Sequence, residues 1–153
     1  MSGKRILALD PGTKRIGVAL SDELGWTAQP LETYERKTLP ADLAHIKDLI
    51  TRHEVKAVVV GLPVRLDGQI GLAAQQVQEF IKRLQEVIDL PIIAWDERLT
   101  TRSAEELLIA ADVSRKKRKG VVDRVAAALL LKSYLEHLSA PTLGEDLPPD
   151  ADR

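Results

Sequence analysis

Cysteine is absent from this chain of 153 residues. That excludes a disulfide framework and any thiolate-ligated metal. The three histidines, His45, His53 and His137, are scattered and form no His-x3-His pair, so a zinc site lacks its usual donors. A metal bound here is expected to be a hard, oxygen-ligated ion such as Mg²⁺ or Mn²⁺. Aromatics are scarce, at 3% of residues, so the core must be built from Leu, Ile, Val and Ala. No apolar run approaches the roughly 18 residues of a membrane span. The start, Met1-Ser2-Gly3-Lys4-Arg5, leads into a short strand-like run without the apolar region or cleavage site of a signal peptide. A cytoplasmic protein with no membrane partner is expected.

What is present suits a globular fold. The apolar fraction is 44%, enough for a sizeable core, and the length suggests one domain. The net charge of −1 hides an asymmetry. Residues 140–153 hold Glu145, Asp146, Asp150 and Asp152 against Arg153, a net of −3, which leaves +2 on residues 1–139. Within those lies an unbroken cationic run, Arg115-Lys116-Lys117-Arg118-Lys119. A locally basic surface on a near-neutral domain is compatible with a polyanionic partner.

Hydrophobic patterning predicts the order β-β-β-α-β-α-β-α-α. Arg5 to Asp10 reads as a central strand, apolar on both faces. Pro11-Gly12-Thr13 is a turn, and Arg15 to Ser21 a second strand joined to the first as an antiparallel hairpin. Thr27 to Arg36 is a third strand, placed at an edge by Pro30. A helix over 39–53 precedes a buried strand, Val55 to Leu62. Then come a loop over 63–71, a helix over 72–88, a strand over 91–95 and a helix from Thr100 or Thr101 to about Ala110. The basic run reads as a loop before a last helix, Val121 to Leu138. The fold class is α/β, a mixed five-stranded sheet flanked by helices. Residues 1–138 form the domain. Residues 139–153, with Pro141, Pro148 and Pro149, are expected to be a disordered acidic tail.

Three acids stand where a core side chain would. Asp10 ends the run Ile6-Leu7-Ala8-Leu9 and shares a face with Ile6 and Ala8. Asp96 and Glu97 end Ile92-Ile93-Ala94-Trp95 and face opposite ways, so only one can reach a site shared with Asp10. Alternation does not choose between them. Asp123 lies on the helical face of Ala127, Leu130 and Tyr134, which is otherwise apolar. Each has an ordinary structural explanation: a turn-initiating aspartate for Asp10, and helix-dipole stabilisation for the others. Together they form a candidate site. Carboxylates at the ends of buried elements are costly unless a cation pairs with them. Two strand-end acids and one helix acid suit a pair of divalent ions that cleaves phosphodiesters. The basic run directly before Asp123 would then contact phosphates.

At these residues the chain resembles the YqgF/RuvX family, described as pre-16S rRNA nucleases or Holliday-junction-resolvase-like proteins. The resemblance rests on Leu9-Asp10-Pro11-Gly12-Thr13-Lys14-Arg15-Ile16-Gly17-Val18-Ala19 and on Gly61-Leu62-Pro63 with Asp67-Gly68. It continues in Asp96-Glu97-Arg98-Leu99-Thr100-Thr101 and in the stretch from Ser114 to Asp123. It covers roughly residues 4–138. The resemblance implies an RNase H-like fold and an acidic triad, Asp10, Glu97 and Asp123, as catalytic and metal-binding residues. It thereby selects Glu97 over Asp96. Arg65 stands where many members have Asn, and Ala126 and Ala127 stand where related resolvases carry a fourth acid. The implied function is metal-dependent endonucleolytic cleavage of structured nucleic acid, in 5′ maturation of pre-16S rRNA during ribosome biogenesis. Mg²⁺ or Mn²⁺ would be the cofactor. Lys14, Arg15, Arg98, Arg115, Lys116, Lys117, Arg118 and Lys119 would hold phosphates. Pre-rRNA, branched DNA and ribosomal particles are the implied partners of a monomer or homodimer. Two alternatives stand beside it: a Holliday junction resolvase acting on DNA, which would use the same site, and a non-catalytic nucleic-acid-binding or transcription-associated module, whose binding would not need the three acids. A third compares Asp-Pro-Gly-Thr with the phosphate loop of actin-like ATPases, which need two such domains.

Overall fold

Residues 3–63, 71–96 and 115–139 are described by the computed structural model, with 115–120 and 139 described for their backbone alone. Five strands form one mixed sheet: β1 (Arg5–Pro11), β2 (Arg15–Ser21), β3 (Ala28–Glu35), β4 (Val55–Leu62) and β5 (Ile92–Asp96). Their order across the sheet is β3-β2-β1-β4-β5. The first three pair antiparallel, whereas β1, β4 and β5 run parallel. The central place of β1 follows from its composition, since Leu7, Ala8 and Leu9 are all buried and fill both faces. Pro30 lies on edge strand β3, where its missing N–H leaves no gap in a ladder.

Helices α1 (Leu39–Arg52), α2 (Leu72–Gln85) and α3 (Arg115–Ser139) complete the described elements. One core layer joins Leu7, Leu9, Val58 and Val60 of the sheet to Ile46 and Leu49 of α1 and to Val77, Phe80 and Leu84 of α2. The other joins Ile6, Ala8, Ala19 and Val59 to Ala127, Leu130, Leu131 and Leu135 of α3. Thr38 caps α1, its Oγ1 accepting from Ala41 N at 3.3 Å, with a proline in the first turn.

One expectation fails. Arg115 to Lys119 are helical backbone and belong to α3, not to a loop before it. Arg and Lys are strong helix formers, so a charged stretch need not break a helix. Asp123 therefore stands two turns inside the described helix rather than in its first turn. At that depth the helix dipole no longer explains it. Helix α2 also ends three residues earlier than expected, at Gln85. The helix expected over 100–110, the loop after Pro63 and the acidic tail lie outside the described residues.

Candidate active site

The parallel strands β1, β4 and β5 end together, and at the carboxyl ends of such strands α/β sheets place their sites. Asp10 is the penultimate residue of β1 and lies directly opposite Gly17 of β2. Side chains of facing residues in an antiparallel pair share one side of the sheet, with Cβ atoms about 5 Å apart. The missing side chain of Gly17 is what lets α3 approach. A Cβ built there would stand 1.8 Å from the carbonyl oxygen of Asp123 and 2.3 Å from its carbonyl carbon. Helix α3 thus rests on Gly17 at the level of Asp123, beside Asp10. Both acids line a single cavity of about 410 Å³, with Gly12, Thr13 and Ala126 also on its wall.

Arg15, the first residue of β2, donates from Nε to Asp123 Oδ2 at 2.6 Å. Both side chains are about a quarter to a third exposed. The guanidinium therefore balances the carboxylate. Lys14, before it, is exposed. Arg115 to Lys119 begin α3. Glu97 and Arg98 lie outside the described residues.

The tie between Asp96 and Glu97 gains a geometric half-answer. Ile93 and Trp95 pack with Ile6, Ala8 and α3, on the face of Asp10. Ile92 packs on the opposite layer, and Asp96 pairs with Leu62, which also belongs there. Asp96 therefore follows the face away from Asp10. Trp95 is fixed against α3 by an edge-on contact with Tyr134, centroids 5.3 Å apart, and by Nε1 donating to Ser133 Oγ at 3.3 Å.

A second network braces the turn after Asp10, and sequence reading missed it. Asp42 of α1 is 1% exposed. Its Oδ1 accepts from the Tyr34 hydroxyl and the Lys37 backbone N–H, both at 2.9 Å, and its Oδ2 from Arg36 Nε at 3.1 Å. Burial pushes the Asp42 carboxyl up, but these donors more than offset it and hold it below the ordinary carboxylate range. The Tyr34 hydroxyl is raised, by burial first and then by its bond to Asp42. Arg36 Nη1 donates in turn to the Gly12 carbonyl at 2.9 Å. In the sequence, Asp42 is indistinguishable from an acid placed in a first helical turn for its dipole.

Hard carboxylate oxygens and an absence of thiols suit a divalent ion of the Mg²⁺ or Mn²⁺ type. Two of the three expected donors share the described cavity. Among the described residues no group of three acidic, His or Cys side chains gathers around one point.

A family profile described as a Holliday junction resolvase family, RuvX, matches residues 4–137. The chain belongs to the RuvX family. Among RuvX relatives, one from Halothermothrix orenii carries the name "Putative pre-16S rRNA nuclease"; it is 53% identical over 133 residues, spanning 87% of this chain and 95% of the relative. One of the same name from Syntrophus aciditrophicus is 49% identical over 147 residues, 96% of this chain and 95% of that one. Solved structures add the fold. Thermus thermophilus RuvC, in complex with a Holliday junction substrate, gives a TM-score of 0.52 at 14% identity, over 88% of this chain and 96% of that one. The Fowlpox virus resolvase with junction DNA gives 0.53 at 15% identity, over 88% and 99%. This RuvX member thus has the resolvase-type sheet, with the two described acids at its strand-end cavity.

Proposed function

We propose that this RuvX member is a metal-dependent endonuclease that cleaves phosphodiester bonds in structured nucleic acid, with precursor 16S rRNA as substrate. The observation that carries the reading is the convergence of Asp10 and Asp123, from different elements, on one cavity at the strand ends. The names of the relatives support the substrate. Glu97 is the proposed third acid. It lies outside the described residues, two positions after Trp95, which packs on the face of Asp10. A divalent ion held by these oxygens supplies Lewis acidity toward a phosphate oxygen and lowers the pKa of bound water. Asp10 and Asp123 hold and orient that ion, and the Arg36–Gly12 bond fixes the turn beside Asp10. Arg15 holds the Asp123 carboxylate in place through its Nε. Lys14, Arg15, Arg98 and the 115–119 run draw the phosphates in. The proposed setting is cytoplasmic, on ribosomal particles; among the described residues no helix is long and apolar enough to cross a membrane.

The test is cleavage of a precursor rRNA fragment with Mg²⁺ by wild type and by Asp10→Asn. Loss of at least a hundredfold in rate is expected, on the order of what displacing a metal-orienting group costs. Equal rates would remove the assignment. DNA junction resolution is the second reading, favoured by the description of the family profile. Symmetric cleavage of two strands calls for a two-fold dimer. A chain that stays monomeric while it cuts junctions would count against that reading.

A further inference from the structure

Beside the acidic cavity lies a second and larger cleft of about 680 Å³. Thr13, Arg36 and Gln76 line both, so the two are contiguous. Its charged wall is Lys14, Arg15, Arg36 and Lys37 against Glu35 and Asp42. These charges are not equivalent. Arg15 is engaged by Asp123. The Asp42 carboxylate is buried and takes three donors, so it anchors cations instead of repelling an anion. Glu35 is the one exposed acid on the wall. Lys14 and Lys37 are exposed, and neither is ion-paired among the described residues.

The backbone that carries them is pinned. Arg36 N donates to Lys14 O at 2.8 Å, closing the end of the β2–β3 ladder. The Lys37 N–H is held by Asp42, and the Arg36 side chain by Asp42 and Gly12. Two exposed lysines therefore stand on fixed backbone at one rim, beside the Asp10 turn. Among the described residues no aromatic ring lines the cleft, so they offer no stacking platform for bases. The ammonium groups of Lys14 and Lys37 are point charges, which match the phosphate backbone of a nucleic acid.

We propose that this cleft holds phosphates of the substrate strand flanking the cleaved bond, with Lys14 and Lys37 as the contacts and Arg36 as the residue that positions them. The inference rests on the nuclease reading and extends it to the β3–α1 corner, where Lys37 and Arg36 were not foreseen as part of the nucleic-acid surface. The experiment is binding of a single-stranded precursor rRNA fragment across a KCl series, with chelator present so that no cleavage occurs. Wild type is compared with Lys37→Gln, with Lys14→Gln/Lys37→Gln, and with Lys47→Gln, a change of an exposed lysine on α1 outside the cleft. Each lost phosphate contact lowers the slope of log K against log salt by about 0.7 on a single strand. The double variant is expected to lose about 1.4, Lys37→Gln about half of that, and Lys47→Gln none.

A wild-type slope in the double variant overturns the cleft, as does an equal loss in Lys47→Gln. A third contrary outcome is millimolar inorganic phosphate binding at Lys14 and Lys37 while the RNA slope stays unchanged. That would make the cleft a site for free anions. The two readings fail separately. Wild type that cleaves in an Asp10-dependent way beside a double variant of unchanged slope sinks the cleft alone. Wild type that binds no RNA sinks both.

Discussion

Gly17 does for the site what no side chain could. Its Cα faces the backbone of Asp123, and any Cβ would overlap the Asp123 carbonyl. Gly17→Ala must therefore push α3 off the sheet. Overpacking of this kind costs about 3 kcal/mol, and the displaced Asp123 should take cleavage with it. Denaturant unfolding and a cleavage assay read the two effects. A variant within ~0.5 kcal/mol of wild type would contradict the contact. Arg15 contrasts with it, because its pair with Asp123 is partly solvated. Such pairs contribute about 0–1 kcal/mol, so Arg15→Gln should leave unfolding almost unmoved. Asp42 is buried and multiply bonded, so Asp42→Ala, which strands Arg36 and the Tyr34 hydroxyl, should cost about 3–5 kcal/mol. The sign of its pH dependence follows from the depressed carboxyl. Its contribution is full above the ordinary value of 3.8 and is lost as pH falls below that toward the folded-state pKa. Asp42→Asn should flatten that acid limb of the stability curve, and unchanged steepness below 3.8 would contradict the account.

Elements were the most legible part of the chain. Alternating and continuous apolar runs located all five strands within a few residues, because burial on one or two faces leaves a periodic trace. Pro30 identified the edge strand for the same physical reason that confines it there. The start of α3 was illegible, because consecutive cations carry no hydrophobic period, yet Lys and Arg favour helix. That error disguised Asp123 as a first-turn acid. Its true depth in the helix strengthens the functional reading. The Arg15–Asp123 pair was illegible because its members lie 108 positions apart, and the Asp42 network because a first-turn acid has an ordinary dipole explanation. At this scale the β5–α3 contact is testable. Trp95→Ala removes the ring against Tyr134 and the bond to Ser133. A half-buried indole should cost about 2 kcal/mol, at the low end for large core truncations. If Glu97 takes its place from β5, cleavage should fall further than stability alone explains, as judged well below the melting temperature.

At the scale of the molecule, α3 covers one face of the sheet while α1 and α2 cover the other. Among the described residues, a continuous opening lies at the strand ends between these layers. The acidic cavity and the basic cleft share that opening, which places opposite charges side by side: one set for an ion, the other for phosphates. Binding of an ion by the folded state alone must stabilise it, by about 2.7 kcal/mol at a hundredfold excess over Kd. Mn²⁺ should therefore raise the melting temperature of wild type, and raise it less in Asp10→Asn. The most direct measurement of the central claim is anomalous scattering from crystals grown with Mn²⁺. A peak is expected in the cavity within coordination distance, about 2.1 Å, of carboxylate oxygens from Asp10 and Asp123, with Glu97 completing the set. Manganese bound elsewhere, or bound to neither aspartate, would contradict it.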